Sequence, residues 1–380
     1  MNRFDYSSAA HRVVFGAGAL DQLPDLLGET GWRRLLLCTS RSQTANGTVG
    51  RLRALLGPRL VAVFDDARAH VPLEQVETAV TMALEQNVDG VIGLGGGSAV
   101  GLAKAVSFAI EEAWPAQPPE EADSLRGPRI PVLAIPTTYA GSEMTPIYGT
   151  SQAAPGVENG PRRKRTVRDP RITPRLVLYD PQLTLDLPPE VTAASGVNAL
   201  AHCIEAVYST TKNPLSTAAA LRGARIIYRA LPAAVAQGRS LPARAEMLAG
   251  AHLAAVAVVT ASIGLHHGLC HVLGGAKDVP HGTANSIMLP HAVRFNLETE
   301  EAPLREVARA LGLADPQALP DALHHFIGSL GLPQRLRDVG VAEEDLPALA
   351  RMAMESTAVQ NNPRPLTGPE QAEAVYRAAW

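Results

Sequence analysis

In VDGVIGLGGGSAVGLAKAVSFAI, residues 88–110, an apolar run meets Gly93, Gly95, Gly96, Gly97 and Ser98 and then continues as AVGLAKAVSFAI with helical spacing. Strand, glycine turn and helix in that order form the repeating unit of a parallel sheet. Glycine lets the backbone approach an anion, and the start of a helix offers unpaired N–H groups and a partial positive charge. Gly95, Gly96, Gly97 and Ser98 are therefore candidates to hold a pyrophosphate. The spacing is not G-x-G-x-x-G, and taken alone the turn serves equally well as a tight bend with no ligand.

Outward from this unit the alternation continues. RRLLLCTS (33–40), RLVAVFDDA (59–67), RIPVLAIPTT (129–138) and RLVLYDP (175–181) read as strands, and EQVETAVTMALEQ (74–86) as a helix. The expectation is an α/β domain, Rossmann-like, with a mostly parallel sheet. A second small-polar turn, PTTYAGSEMT (136–145), places Thr137, Thr138 and Ser142 near the same sheet edge, with Tyr139 a candidate donor to substrate. That edge is where nucleotides bind in open α/β sheets. Thr39, Ser40 and Arg41 end the second strand where an acidic residue would select NAD. With no carboxylate there, both NADH and NADPH are expected to be usable.

From about residue 183 the β-branched runs stop. Ala/Leu-rich segments follow at 190–209, 214–235, 242–265, 283–295, 302–312, 319–330, 343–356 and 368–379, all read as helical. The expected domains are 1–182, binding NAD(P), and 183–380, all-helical and catalytic. QPPEEADSLRGP (117–128) reads as a loop.

Composition narrows the function. The chain has 380 residues, 46% hydrophobic, with a net charge of −3, which speaks against a nucleic-acid partner. Its three cysteines are dispersed, so neither a disulfide framework nor a thiolate zinc site is expected. The N-terminal residues show no apolar signal run, and AHLAAVAVVTASIGL (251–265) is too short to span a bilayer. A cytoplasmic protein without a membrane partner is expected.

SGVNALAHCIEAVY (195–208) puts Asn198, His202 and Glu205 in one polar row, with Val197, Leu200, Ala201 and Ile204 on an apolar side. GLHHGLCHVLGGAKDVPHG (264–282) holds His266, His267, His271 and His281, four of the 11 histidines. Such a set can bind a divalent metal or supply a general acid.

GGGS, PTT…GSE, NALAH and HHGLCHVLGG…PHGTAN–LPH, in this order, resemble the iron-containing alcohol dehydrogenase family over nearly the whole chain. The resemblance implies the dehydroquinate synthase-like architecture: a dinucleotide-binding α/β domain, an all-helical domain, and an active site in the cleft between them. It implies metal ligands at positions matched here by Asn198, His202, His267 and His281, with His271 close to the nicotinamide. Two departures stand out: Asn198 replaces the ligating Asp, and Gly101 replaces the Asp three residues after GGGS. Together with GGGSAVGLAKA, PTTYAGSEMTPIYG, RKRTVRDPR, HVLGG and NPRPLT, they resemble the maleylacetate reductase branch. That implies reduction of maleylacetate to 3-oxoadipate with NADH or NADPH in aromatic compound degradation, by a homodimer that needs no metal.

The residues agree with that implication. Asn198 brings no charge to offset a dication, so metal binding at His202, His267 and His281 is weakened rather than abolished. Hydride addition to a carbon–carbon double bond conjugated to a ketone leaves an enolate, which histidine N–H groups stabilise. His202, His267, His271 and His281 are the expected donors, with His267 or His271 giving the proton. A dicarboxylate substrate suits the arginine-rich run 160–175, in which Arg162 and Arg165 are the candidate binders, beside Asn198. Lys164 matches a family lysine near the nicotinamide. The alternatives are a metal-dependent alcohol or polyol dehydrogenase of the same fold and a non-enzymatic nucleotide-binding regulator.

Overall fold

The computed structural model describes residues 11–113, 129–153 and 162–380, and of residues 153 and 162–164 the backbone alone. The loop expected at 117–128 lies outside the described residues. The chain divides into two compact units, one ending at Asp186 and the other beginning at Leu187.

The first unit is built on β1 (Arg12–Phe15), β2 (Leu35–Cys38), β3 (Leu60–Phe64), β4 (Gly90–Gly95), β5 (Val132–Pro136) and β8 (Leu176–Tyr179). They form one parallel sheet in the order β1-β8-β5-β4-β2-β3. The central strands LLLC, GVIGLG and VLAIP are buried along their whole length, as expected where helices cover both faces. Those helices are α1 (Leu23–Thr30), α2 (Arg41–Ala45), α3 (Thr48–Leu56), α4 (Leu73–Glu85) and α5 (Gly97–Ala113). From β2 the chain steps outward to β3, returns to β4, and then runs the other way through β5 to β8. The reversal brings the carboxyl ends of β2, β4 and β5 side by side, in register at Cys38↔Gly93 and Gly95↔Pro136.

Helix α5 lies close against β4 because Gly93 has no side chain. A Cβ there would stand 2.9 Å from Val100 Cα and 3.1 Å from Ala103 Cβ. Gly93→Ala is therefore expected to destabilise the protein by about 1–3 kcal/mol through overpacking. A urea unfolding midpoint equal to wild type would contradict this.

Part of the arginine-rich run is regular structure. Residues Arg162–Arg168 form strand β7, paired antiparallel with β6 (Ile147–Ala153), and Lys164 stands opposite Ser151 and Arg165 opposite Thr150. Further along, Arg171 bonds Asp169 and Glu112, and its guanidinium lies over Phe108 of α5. Arg171 thus ties the segment after the hairpin to helix α5.

The second unit is helical: α6 (Pro189–Tyr208), α7 (Pro214–Ala236), α8 (Leu241–Thr260), α9 (Leu265–Ala276), α10 (His281–Leu297), α11 (Glu301–Ala310), α12 (Leu319–Ser329), α13 (Leu346–Met354), α14 (Thr357–Gln360) and α15 (Pro369–Ala378). The expected single helix 242–265 ends at Thr260, and a separate helix, α9, follows after Gly264. Helix α8 is long and apolar enough to cross a membrane. It packs instead against α6 and α7 and buries Arg244, which bonds Thr192 Oγ1 (2.7 Å) and the Leu187 carbonyl (3.0 Å). A buried, hydrogen-bonded arginine marks a core helix of a folded protein.

Candidate functional site

Two clusters carry chemistry, one in each unit. In the first, Gly95 takes a positive φ of 138°, which turns the chain from β4 into α5. Thr137 N–H donates to the Gly95 carbonyl (2.9 Å), joining the turn after β5 to the glycine loop. A Cβ on Gly96 would lie 3.2 Å from Thr138 Cγ2, and one on Gly97 3.6 Å from Ala140 Cβ. The expected residues Gly95, Gly96, Gly97, Ser98, Thr137, Thr138 and Ser142 therefore come together, with the N-terminus of α5 between the loops. This is a cradle that a side chain would fill and that suits a pyrophosphate.

Other expected members are placed differently. The Thr39 hydroxyl is buried and donates to the Leu94 carbonyl (2.8 Å), so it braces β2 against β4. Tyr139 is fully buried. Arg41 is exposed and ion-pairs with Asp66 (2.9 Å). Gly101 abuts Val71, whose Cγ2 would be 3.2 Å from a Cβ at that position. Val71 itself has a positive φ of 46°, a strained conformation for a β-branched residue.

Beneath the second turn lies a group with no place in the sequence reading. Lys104, fully buried on α5, reaches the carbonyls of Ser142, Thr145 (2.7 Å) and Ile147 (3.0 Å). Burial lowers its ammonium to about 7, and the Glu143 carboxylate opposes that fall.

In the helical unit, α6, α9 and α10 bring the expected histidines together. The His202 and His267 rings stack at 4.6 Å between centroids, 6° from parallel. His271 and His281 stack at 5.7 Å, and His267 lies 6.1 Å and 5.8 Å from them. His267 is buried, whereas His271 and His281 are exposed. Asn198 Oδ1 is 3.3 Å from His267 Nε2. His202 Nδ1 is buried without a partner, and burial together with the neighbouring His267 holds its pKa well below the usual range.

Glu205 emerges as a member of this cluster although sequence reading gave it no role. It is completely buried, and its Oε2 accepts a hydrogen bond from His267 Nδ1. Its Oε1 accepts from the Gly264 N–H (3.0 Å) at the start of α9. Gly264 is needed for this approach: a Cβ there would stand 2.8 Å from Asn362 Oδ1 and 3.4 Å from Glu205 Oε1. Asn362 accepts from the next N–H, that of Leu265 (3.0 Å). Burial pushes the Glu205 carboxyl up, but the imidazoles of His267 and His266 outweigh it and hold the pKa well below the carboxylate range. The signal was in the sequence as spacing, since Glu205 lies one turn beyond His202 on the same polar row.

These bonds fix the tautomers. A carboxylate and a carbonyl can only accept, so His267 carries its proton on Nδ1 toward Glu205. His266 carries its own on Nε2 toward the Asn285 carbonyl (3.0 Å). The functional nitrogen of His267 is Nε2.

A dication bound by Asn198, His202, His267 and His281 would meet no negative ligand. Glu205 contacts His267 on the opposite ring nitrogen. Glu205, His266 and His267 do bring ligand atoms within 4.8 Å of one another, but the proton that joins Glu205 to His267 occupies that contact. The donor set brings no charge to offset a dication, which weakens it as a resident metal site.

The sequence signature described as "Iron-containing alcohol dehydrogenase" matches residues 10–181, and that of the "Fe-containing alcohol dehydrogenase family, C-terminal" matches residues 192–380. A maleylacetate reductase of Burkholderia cepacia is 39% identical over 366 residues, 96% of this chain and 95% of its own. One from Sphingobium indicum is 36% identical over 376 residues, 99% and 97% of the two chains. The crystal structure of maleylacetate reductase from Rhizobium sp. strain MTP-10005 superposes with a TM-score of 0.86 at 33% identity, covering 100% of this chain and 99% of that one. With both units matched in turn, the chain belongs to the iron-containing alcohol dehydrogenase family.

Proposed function

We propose that this protein reduces maleylacetate to 3-oxoadipate with NADH or NADPH, in the breakdown of aromatic compounds, without a metal. The observation that supports this most directly is Asn198 within a histidine cluster whose buried carboxylate, Glu205, is committed to orienting His267. The reading is further supported by the full-length similarity to maleylacetate reductases. The reduced nicotinamide, when bound, supplies hydride to the far carbon of the enone, leaving the ketone oxygen as an enolate. Gly95, Gly96, Gly97, Ser98, Thr137, Thr138 and Ser142 hold the dinucleotide, with Thr39 bracing the strand ends and Lys164 toward the nicotinamide.

His202, His267 and His281 donate hydrogen bonds to the enolate oxygen, taking the part a metal plays elsewhere in such chemistry. A proton passes to the neighbouring carbon from His267 or His271. Glu205 favours the protonated form of His267 and keeps Nε2 aimed at the substrate. Arg162 and Arg165 take the substrate carboxylates, Asn198 lines the site, and Tyr139 supports the second turn. Arg41 has the charge for a 2′-phosphate but stands paired with Asp66, which suits acceptance of both cofactors rather than exclusive use of NADPH. The protein acts in the cytoplasm as a homodimer.

The test is oxidation of NADH and of NADPH by maleylacetate, before and after dialysis against a strong chelator. Turnover with both cofactors, unchanged by chelation, is expected. Activity lost on chelation and restored by added metal would replace this reading with a metal-dependent dehydrogenase. NADH binding without turnover would leave the protein a nucleotide-binding regulator.

A further inference from the structure

Lys104 is a fully buried charge in the α/β unit. It stands two helical turns beyond Gly97 on the helix whose N-terminus lies between the glycine loop and the second turn. Its three ammonium protons match three backbone carbonyls, those of Ser142, Thr145 and Ile147, with Thr145 Oγ1 at 3.2 Å and Ser142 Oγ at 3.4 Å. Three carbonyl dipoles converging on one point repel each other unless a cation sits among them. Burial opposes that cation, so its presence calls for a reason.

The reason is in what the carbonyls belong to. They lie in the segment that closes the turn bearing Thr137, Thr138 and Ser142, and this turn rests on Gly95, Gly96 and Gly97. Gly141, at a positive φ of 80°, sets the chain direction that turns the Ser142 carbonyl inward.

We propose that Lys104 is a positioning residue for the dinucleotide site: by gathering these three carbonyls it clamps the second turn to the helix N-terminus, so that the two walls of the phosphate cradle are held by one side chain. The inference rests on the reading that this cradle binds NAD(P)H. Lys104 touches neither cofactor nor substrate and acts through Ser142 and its turn. The turn is thereby pre-ordered, and dinucleotide binding need not supply that ordering.

The experiment compares wild type with Lys104→Met, Thr145→Val and Ser107→Ala, by fluorescence titration of NADH and by steady-state kinetics. Ser107 is a control on the same helix. Its hydroxyl bonds the Ile130 carbonyl (2.6 Å), away from the turn. Lys104→Met should weaken NADH binding at least tenfold and raise KM for NADH in step, while kcat at saturating NADH stays within threefold. Thr145→Val, which keeps the lysine and removes one oxygen from its cage, should weaken binding a few-fold. Ser107→Ala should lose thermal stability with wild-type NADH affinity.

Wild-type NADH affinity in a folded Lys104→Met protein would overturn the proposal. If that variant does not fold, wild-type affinity in Thr145→Val would do so. Failure of the wild-type enzyme itself to bind NADH would instead overturn the cofactor reading.

Discussion

Glu205→Gln should lower kcat by about 10²-fold or more while leaving NADH affinity within twofold. Glutamine has the shape of glutamate, and its carbonyl can still accept from Gly264 N–H, so α9 keeps its cap. The change falls on the other oxygen. Where Oε2 now accepts from His267 Nδ1, an amide would present N–H. His267 must then accept at Nδ1, which moves its proton to Nε2 in the neutral ring and removes the charge that favours the imidazolium. Glu205→Asp retains that charge and should recover part of the rate. A glutamine variant with kcat within threefold of wild type would show that His267 needs no anionic partner.

The same residue gives a stability signature. Its folded pKa is depressed, so its contribution is fully present above the unfolded carboxylate value. It is lost as pH falls from there through the lower folded value. Wild type should therefore lose Tm on acidification below about 4.5, relative to the glutamine variant, whose side chain does not titrate.

His271→Ala and His267→Ala should each cut kcat by about 10²-fold or more, as expected on removing a general acid. The two differ in surroundings. His267 is buried, with Nδ1 bonded to Glu205 and Nε2 3.3 Å from Asn198 Oδ1, whereas His271 is exposed and stacked on His281. Loss of His267 also leaves Glu205 a buried carboxylate without its imidazole, so that variant should be less stable as well as slower. Loss of His271 should slow the enzyme with little change in Tm. Near-normal rates in both variants would place the proton donor elsewhere.

The central strands were legible because a parallel sheet covered on both faces demands continuous apolar runs, and LLLC, GVIGLG and VLAIP supply them. Strand β7 was not, because RRKRTVR has the composition of a solvated segment, and only its pairing with β6 makes it a strand. The bounds of helix α9 were obscured by its glycines. Gly268 is there because a Cβ would strike Val359 Cγ2 at 2.5 Å, a tertiary demand invisible in the helix's own sequence.

Of the site, the histidines were legible by clustering and Asn198 by its place in a row of polar residues. The roles of Glu205 and Lys104 were not. Glu205 acts on a histidine 62 residues away, and Lys104 on carbonyls, which carry no sequence signal. The hydroxyl of Thr39 looked like a ligand group, but the adjacent strand had first claim on it.

Among the described residues the edge strand β1 pairs with β8 alone, Arg12 opposite Leu176 and Phe15 opposite Tyr179. Asp180, just past β8, accepts from the N–H groups of Gly18 and Leu20. As the ribosome delivers the chain, the first strand thus emerges long before its partner. It must wait, unpaired, while β2 to β5 are made and assembled. Closure of so long a loop slows folding and leaves an open edge on the nascent sheet, where a second nascent chain can add. The α/β unit is completed last at the strand that was made first.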